Sequence, residues 1–417
     1  MGHPGALIQL LPLVISGFFA ALLLVFGASM RPGAPRAWLG YLTLAGAGGA
    51  AVLAMWEFDW VSSQRFFDGM IVVDRFAVFG MALIAAAAAL TSLLTVSYLD
   101  ENGPKRGEFH PLMLLSLMGS MALVMSQDLV CLYMALELAT LPLFALTAFH
   151  RRRSRSIEAG FKFYLASALS SGFIAMGAAF LFGACGATSY EALSECLSKG
   201  TTINTAFAGL GFAFLFSGLA TRIGVFPFHA WLPDAYEGAP APGAAFIDGV
   251  FKGALVLALL RLLTAPYGLS AADLPHWNLI LQILAAAGIL SGALVAIVQS
   301  GLKRRLAYSS IAHTGFMLAV LAAAGTGAGA VEGVAALLFY LVFHVAATLG
   351  LYAVVLMISR SSGENPDIKR DLAGLGYRAP LTAAAFTALL LSYAGAPPTM
   401  GFLARFKIGR ASCRERV

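Results

Sequence analysis

Residues Phe76–Val96 read FAVFGMALIAAAAALTSLLTV, a run without one charged side chain. At about 1.5 Å of rise per residue, a helix of this length crosses the roughly 30 Å hydrocarbon core of a bilayer. The apolar residues do not alternate with polar ones, which favours a helix over a strand. Ala6–Ala28 has the same texture, and over all 417 residues 59% are hydrophobic and 12% charged, with mean hydropathy +0.81. Soluble domains carry about 25% charged residues, so this chain has too little polar surface to cover water-soluble cores. Lipid is the solvent that fits, and the fold class this predicts is an all-α polytopic membrane protein.

The same arithmetic narrows function. Lys and Arg number 27 against 21 Asp and Glu, and no basic tract is interleaved with aromatic residues, so nucleic-acid binding has no support. Cys131, Cys185, Cys196 and Cys413 show no CxxC spacing, which argues against a thiolate-held metal or redox centre. No basic segment followed by a small-residue cleavage site opens the chain, so the first apolar run is expected to be a retained span.

Apolar runs predict twelve spans, at roughly 6–28, 37–56, 76–97, 111–127, 129–149, 158–184, 204–231, 243–264, 276–298, 306–325, 330–358 and 379–406. Loops after odd-numbered spans carry fifteen basic residues: Arg31, Arg36, Lys105, Arg106, Arg151, Arg152, Arg153, Arg155, Lys303, Arg304, Arg305, Arg360, Lys369, Arg370 and Arg378. The opposite side has four, Arg65, Arg75, Lys199 and Arg261. The positive-inside rule puts the first set in the cytoplasm and the N-terminus outside, which for a bacterial inner membrane means the periplasm.

Charges at membrane depth cost several kcal/mol and mark polar pathways. Glu137 lies in span five, Arg222 in span seven, Lys252 in span eight and Arg405 near the end of span twelve. Asp248 stands four residues before Lys252, on the same helix face, and could neutralise it as a permanent pair. A lysine that exchanges partners or protons is the alternative, because buried ammonium groups shift their pKa readily. His229, His313 and His344 follow the same line and are candidate relays. Pro227 interrupts span seven within TRIGVFPFHAWLPD (Thr221–Asp234), and Pro397 and Pro398 interrupt span twelve. Two broken spans in matching places predict inverted repeats around a transport route. The division that follows is 1–110 for three leading helices, 111–264 for a first five-helix repeat and 276–406 for an incomplete second one.

Four stretches carry a family resemblance: PFHAWLPDAYEGAPAP (Pro227–Pro242), LAYSSIAH (Leu306–His313), DLAGLG (Asp371–Gly376) and LSYAGAPPTMGF (Leu391–Phe402). Together they resemble the signatures of the antiporter-like membrane subunits of proton-pumping NADH:quinone oxidoreductase, complex I. The Tyr-x-Gly-Ala-Pro-Ala-Pro form is similar to that of the N-type subunits. The resemblance runs from about residue 70 to 406 and implies about fourteen helices, of which about twelve are present here. It implies a non-redox subunit that couples quinone reduction in its partners to proton translocation. NADH, FMN, iron–sulfur clusters and quinone would all belong to those partners. By resemblance Glu137 and Lys252 match the family's mid-membrane glutamate and helix-eight lysine. Arg222 and Arg405 stand where lysines are expected, with Arg222 the implied partner of Glu137. A guanidinium keeps the charge but does not release the proton. A cation/proton antiporter subunit, a membrane-bound hydrogenase subunit and a non-pumping structural paralogue share the signature and remain open at this point.

The last ten residues, IGRASCRERV (Ile408–Val417), break the texture of the chain. One codon string for this peptide, ATC GGA AGA GCG TCG TGT AGG GAA AGA GTG, resembles a sequencing adapter translated in frame. The expectation is that 407–417 is foreign and that the native chain continues beyond 406.

Overall fold

Apolar runs separated by glycine, proline and charge fold into a succession of helices. The computed structural model describes residues 7–29, 37–101, 107–199, 204–264, 277–324, 330–362 and 366–414. Arg31, Arg36, Lys105 and Arg106 lie outside the described residues. In chain order the helices are α1 (Leu11–Ser29), α2 (Ala37–Glu57), α3 (Arg75–Glu101), α4 (Phe109–Met125), α5 (Leu129–Thr147), α6 (Ser154–Cys185), α7 (Tyr190–Ser198) and α8 (Thr205–Ile223). They continue with α9 (Trp231–Gly238), α10 (Ala241–Phe246), α11 (Lys252–Leu263), α12 (Trp277–Val298), α13 (Leu302–Ala324) and α14 (Ala330–Ser362). The last four are α15 (Ile368–Asp371), α16 (Leu375–Arg378), α17 (Pro380–Ala394) and α18 (Met400–Arg414).

Among the described residues nine helices are long and apolar enough to cross a membrane, and α4 and α17 are shorter apolar ones. α13, predicted as a span, opens on Lys303, Arg304 and Arg305, which lowers its apolar character over the first turns. The chain is thus an all-α polytopic membrane protein.

The two predicted breaks are present, and glycine sets where each begins. α8 stops at Gly224, with φ 73° and ψ 42°, and α17 stops at Gly395, with φ 75° and ψ 34°. Both are left-handed conformations that a Cβ disfavours. Pro227 and Pro398 then prevent the helix from resuming at once. Span eight holds an unpredicted feature: Ile247–Phe251 is a π turn between α10 and α11. Two small elements outside the spans were also unforeseen. Strands β1 (Gln64–Phe66) and β2 (Ile71–Val73) form an antiparallel hairpin, and α7 is joined to the end of α6 by a Cys185–Cys196 disulfide.

The chain forms two compact units. One comprises 1–164 and 238–258, the other 165–237 and 259–417. In the first unit α4 and α5 approach so closely that a Cβ at Gly119 would collide with the Ala139 backbone, and Ser116 Oγ donates to Ala139 O at 2.7 Å. In the second, α12 and α13 repeat that approach, with Gly292 against the backbone of Ala312 at the same sequence spacing.

Candidate functional site

In the first unit, Asp128 starts α5 by accepting from the backbone N–H of Val130 at 2.7 Å and of Cys131 at 3.4 Å. Glu137 follows about two turns later and is half-buried. Pro142 lies inside the same helix. It has no N–H to give the Leu138 carbonyl, so the backbone beside Glu137 is locally more polar than in a regular helix.

Asp248 and Lys252 are 1% and 3% exposed, and Lys252 Nζ lies 3.2 Å from Asp248 Oδ1. Asp248 is in the π turn and Lys252 begins α11, so the predicted pairing forms on a distorted helix. π turns inside α-helices occur often at functional sites, because the extra residue shifts the following side chains around the axis. The turn packs on α3, α4 and α5. Taking two charges out of water is costly, and only a tight pairing offsets that cost.

In the second unit, Arg222 is 2% exposed in the last turn of α8. Its Nε donates to Ser170 Oγ at 3.1 Å and its Nη2 donates to Ser171 Oγ, both on α6. Ser170 in turn donates to Gly218 O at 2.7 Å, tying α6 to α8. Across the break, Trp231 Nε1 reaches back to Thr221 O at 2.8 Å, a carbonyl in the last turn of α8 that also accepts from the Gly224 N–H at 3.2 Å. His229, within the break, is half-buried and stacks on Phe226 with ring centroids 5.3 Å apart.

The PDAYEG acids have a structural partner that sequence reading missed. Arg304 Nη1 donates to Asp234 Oδ1 at 2.8 Å and to Glu237 Oε2 at 2.9 Å, fastening α9 to the start of α13. The neighbouring Lys303, read from sequence as a solvent-side positive charge, is only 1% exposed. Arg261, counted with the opposite loops, is also buried. A charge tally treats every basic residue near a helix end as solvated, and these two are covered by packing.

His313 of α13 and His344 of α14 come together, with ring centroids 5.4 Å apart. A tyrosine hydroxyl meets each histidine. His313 Nδ1 lies 2.6 Å from Tyr340 Oη, and Tyr393 Oη lies 3.3 Å from His344 Nδ1 and 2.9 Å from Thr348 Oγ1. Arg405 donates to the carbonyls of Ala394 and Tyr393 at 2.7 and 2.6 Å. Sequence reading assigned no role to Tyr340 or Tyr393. Tyr340 stands one helical turn before His344 and Tyr393 just before the α17 break, and those positions were the only signals. Among the described residues no three His, Cys, Asp or Glu side chains converge as a metal site would require.

Residues 126–414 match the family model described as NADH:quinone oxidoreductase/Mrp antiporter, TM. A relative from Herpetosiphon aurantiacus, NADH-quinone oxidoreductase subunit N 1, is 36% identical over 377 residues, covering 89% of this chain and 74% of the relative. Among solved structures, a chain of respiratory complex I from Thermus thermophilus with bound aureothin superposes with TM-score 0.77 and 31% identity, covering 96% of this chain and 83% of that one. A chain of the membrane-bound sulfane sulfur reductase, an archaeal respiratory membrane complex, gives TM-score 0.82 at 24% identity, covering 98% of this chain and 81% of that one, a likeness of fold alone.

Proposed function

The chain belongs to the NADH:quinone oxidoreductase/Mrp antiporter family, in which it is a membrane subunit of the proton-pumping oxidoreductase, and from that premise we propose which of its residues move protons. Glu137 and Lys252 are the protonatable centres of the first unit, with Asp248 as the counter-ion of Lys252. Arg222 and Arg405 are fixed positive charges of the second, and His229, His313 and His344 are its relays. The observation that carries this reading is the buried Asp248–Lys252 pair at 3.2 Å on a π turn. An ion pair that expensive, placed where the helix is distorted, is what a protonatable switch requires.

Electron transfer belongs to partner subunits, where NADH, FMN, iron–sulfur clusters and quinone are held. This chain's part is to bind and release protons as those partners turn over. Residues 111–264 and 276–406 act as two related repeats. The matched approaches at Gly119–Ala139 and Gly292–Ala312, and the matched left-handed glycines at both breaks, support that division.

The role of Arg222 is tested by charge-conserving replacement in the complete complex, reconstituted in vesicles. Arg222→Lys keeps a cation able to donate to Ser170 and Ser171, so proton pumping is expected within about twofold of the parent, a difference well below 1.4 kcal/mol. Arg222→Met keeps the length and removes the charge, and pumping is expected to fall at least about tenfold. Equal pumping by both variants would remove Arg222 from the path.

The N-terminus is placed on the periplasmic side of a bacterial inner membrane. The asymmetry of basic loops supports this, and so does the Cys185–Cys196 disulfide, which lies between α6 and α8 on the side poor in basic residues. Disulfides persist outside the reducing cytosol, where a thiol–disulfide oxidant takes up the two electrons and two protons the thiols release. With a membrane-impermeant maleimide on intact cells, both cysteines are expected to label only after reduction. Labelling that appears only once the membrane is broken would reverse the orientation.

A further inference from the structure

Three span ends meet on one side of the first unit, beside the basic stretch Arg151–Arg155. α4 starts at Phe109, α5 ends at Thr147 and α6 starts at Ser154. The turn between α5 and α6 is held by its own hydrogen bonds: Ser156 Oγ donates to Thr147 O at 2.8 Å, and the Arg153 N–H donates to His150 O at 2.9 Å. A Cβ at Gly160 would collide with Ala148, so α6 lies directly on the end of α5. The Phe149 ring stands edge-on to Phe109 with centroids 4.9 Å apart. Between these fixed parts is a cavity of about 420 Å³, lined by apolar Leu112, Ala145, Phe149 and Ile157 and by charged Glu108 and Arg151.

Glu108 and Arg151 are exposed and of opposite sign, yet among the described residues no ion pair joins them. Two charges that face one cavity without neutralising each other suit a ligand that carries both signs. Their depth narrows its class. Glu108 precedes the first residue of α4 and Arg151 lies between α5 and α6, so both stand where hydrocarbon gives way to lipid headgroups. Pockets with basic residues between membrane helices at this level bind such headgroups. Two exposed apolar stripes start from the cavity and run along the spans. On α6 it is Ile157, Phe161 and Tyr164, and on α5 Ala145 and Leu141, each at helical spacing. Phe144 packs on Tyr164 with ring centroids 5.6 Å apart, which keeps the two helices side by side along this length.

We propose that this cavity holds the headgroup of a phospholipid bearing a phosphate and a primary ammonium, with an acyl chain laid along the Ile157–Phe161–Tyr164 stripe. The Arg151 guanidinium offers a planar fork to the phosphate, and the Glu108 carboxylate accepts N–H bonds from the ammonium. A quaternary ammonium has no N–H to give Glu108, and a headgroup with negative charge alone meets that carboxylate unfavourably. The lining charges sum to zero, as do those of the proposed headgroup. Binding of this kind needs the membrane-spanning fold alone and no proton-moving role.

The test places the complete complex in phosphatidylcholine vesicles doped with one of three phospholipid probes. All carry the same photoreactive acyl chain and differ only in headgroup: ethanolamine, choline or glycerol. After irradiation, labelling of the 141–164 segment is read by mass spectrometry. The ethanolamine probe is expected to label it about tenfold more than either of the others, the factor that 1.4 kcal/mol supplies. Glu108→Gln removes the charge that reads the ammonium and is expected to bring the ethanolamine probe down to the choline level. Arg151→Gln removes the partner of the phosphate and is expected to lower ethanolamine labelling as well. The headgroup comparison on the parent complex needs no variant, so it decides the matter even where a variant fails to assemble. Equal labelling by the three probes would mark ordinary bilayer lipid, and preference for the glycerol probe an anionic-lipid site. Absence of labelling would mean that a neighbouring subunit covers this face. Each of these results overturns the proposal, as does an ethanolamine preference that survives in Glu108→Gln.

Discussion

Glu137→Gln is expected to lower proton pumping and the coupled quinone reduction together by about two orders of magnitude, with the complex still assembled. The substitution keeps the shape of the side chain, turns one acceptor oxygen into an amide donor, and removes its ability to hold charge or proton. Assembly should survive because Glu137 is half-buried on a helix whose start is secured by Asp128 and whose far face is packed on α4 through Ser116 and Gly119. Turnover should not survive if α5 carries a proton-binding carboxylate. Pro142 denies Leu138 its backbone donor, so the helix near Glu137 offers an acceptor that could hold water or a transferred proton. The two measurements to compare are the amount of complex in the membrane and its coupled rate. Full coupled turnover in a normally assembled variant would show that Glu137 is only a structural charge. A fall in both rates matched by an equal fall in assembled complex would place its effect outside translocation.

The spans were legible because burial in lipid leaves a coarse mark, namely long apolar runs such as Phe76–Val96 with charge confined to the loops. The breaks were legible from Pro227, Pro397 and Pro398, although the stopping points belong to Gly224 and Gly395, which sequence cannot distinguish from other glycines without their φ. The pairing of Asp248 with Lys252 could be read because it is local. The π turn that holds it could not, because one extra residue in a helical turn changes no composition. Long-range choices were least visible. Arg304 looked like one more positive charge on a cytoplasmic flank, yet it is occupied by Asp234 and Glu237, far from it in sequence. Cys185 and Cys196 showed no spacing signature because α7 folds back to bring them together. Tyr340 and Tyr393 become meaningful only once α13, α14 and α17 place them between two histidines.

Asp248→Ala combined with Lys252→Ala is expected to leave an assembled complex that no longer pumps, and each single substitution to do worse in assembly than the pair. The reasoning starts from burial. With both side chains enclosed and 3.2 Å apart, removing one strands the other charge in a low-dielectric interior, at a cost of about 3–5 kcal/mol. Removing both leaves a small cavity and no stranded charge, a loss the surrounding α3, α4 and α5 packing can absorb. Stability and function therefore separate in this cycle. Lys252 can lose its proton when a nearby field changes, because an ammonium group in this setting shifts its affinity readily, whereas a guanidinium does not. The field has leverage here: two charges about 4 Å apart interact by several kcal/mol at low effective dielectric and by roughly 1 kcal/mol in water. Asp248 holds Lys252 charged until such a change arrives, and the π turn supplies a backbone already out of regular helical register at the point where the pair must loosen. If the pair is a permanent structural bridge, the double variant should pump at the parental ratio of protons to electrons while the single variants accumulate poorly. If Lys252 is the switching centre, pumping and coupled quinone reduction vanish in the double variant although its membrane content matches the parent. The pumping rate per assembled complex decides between the two.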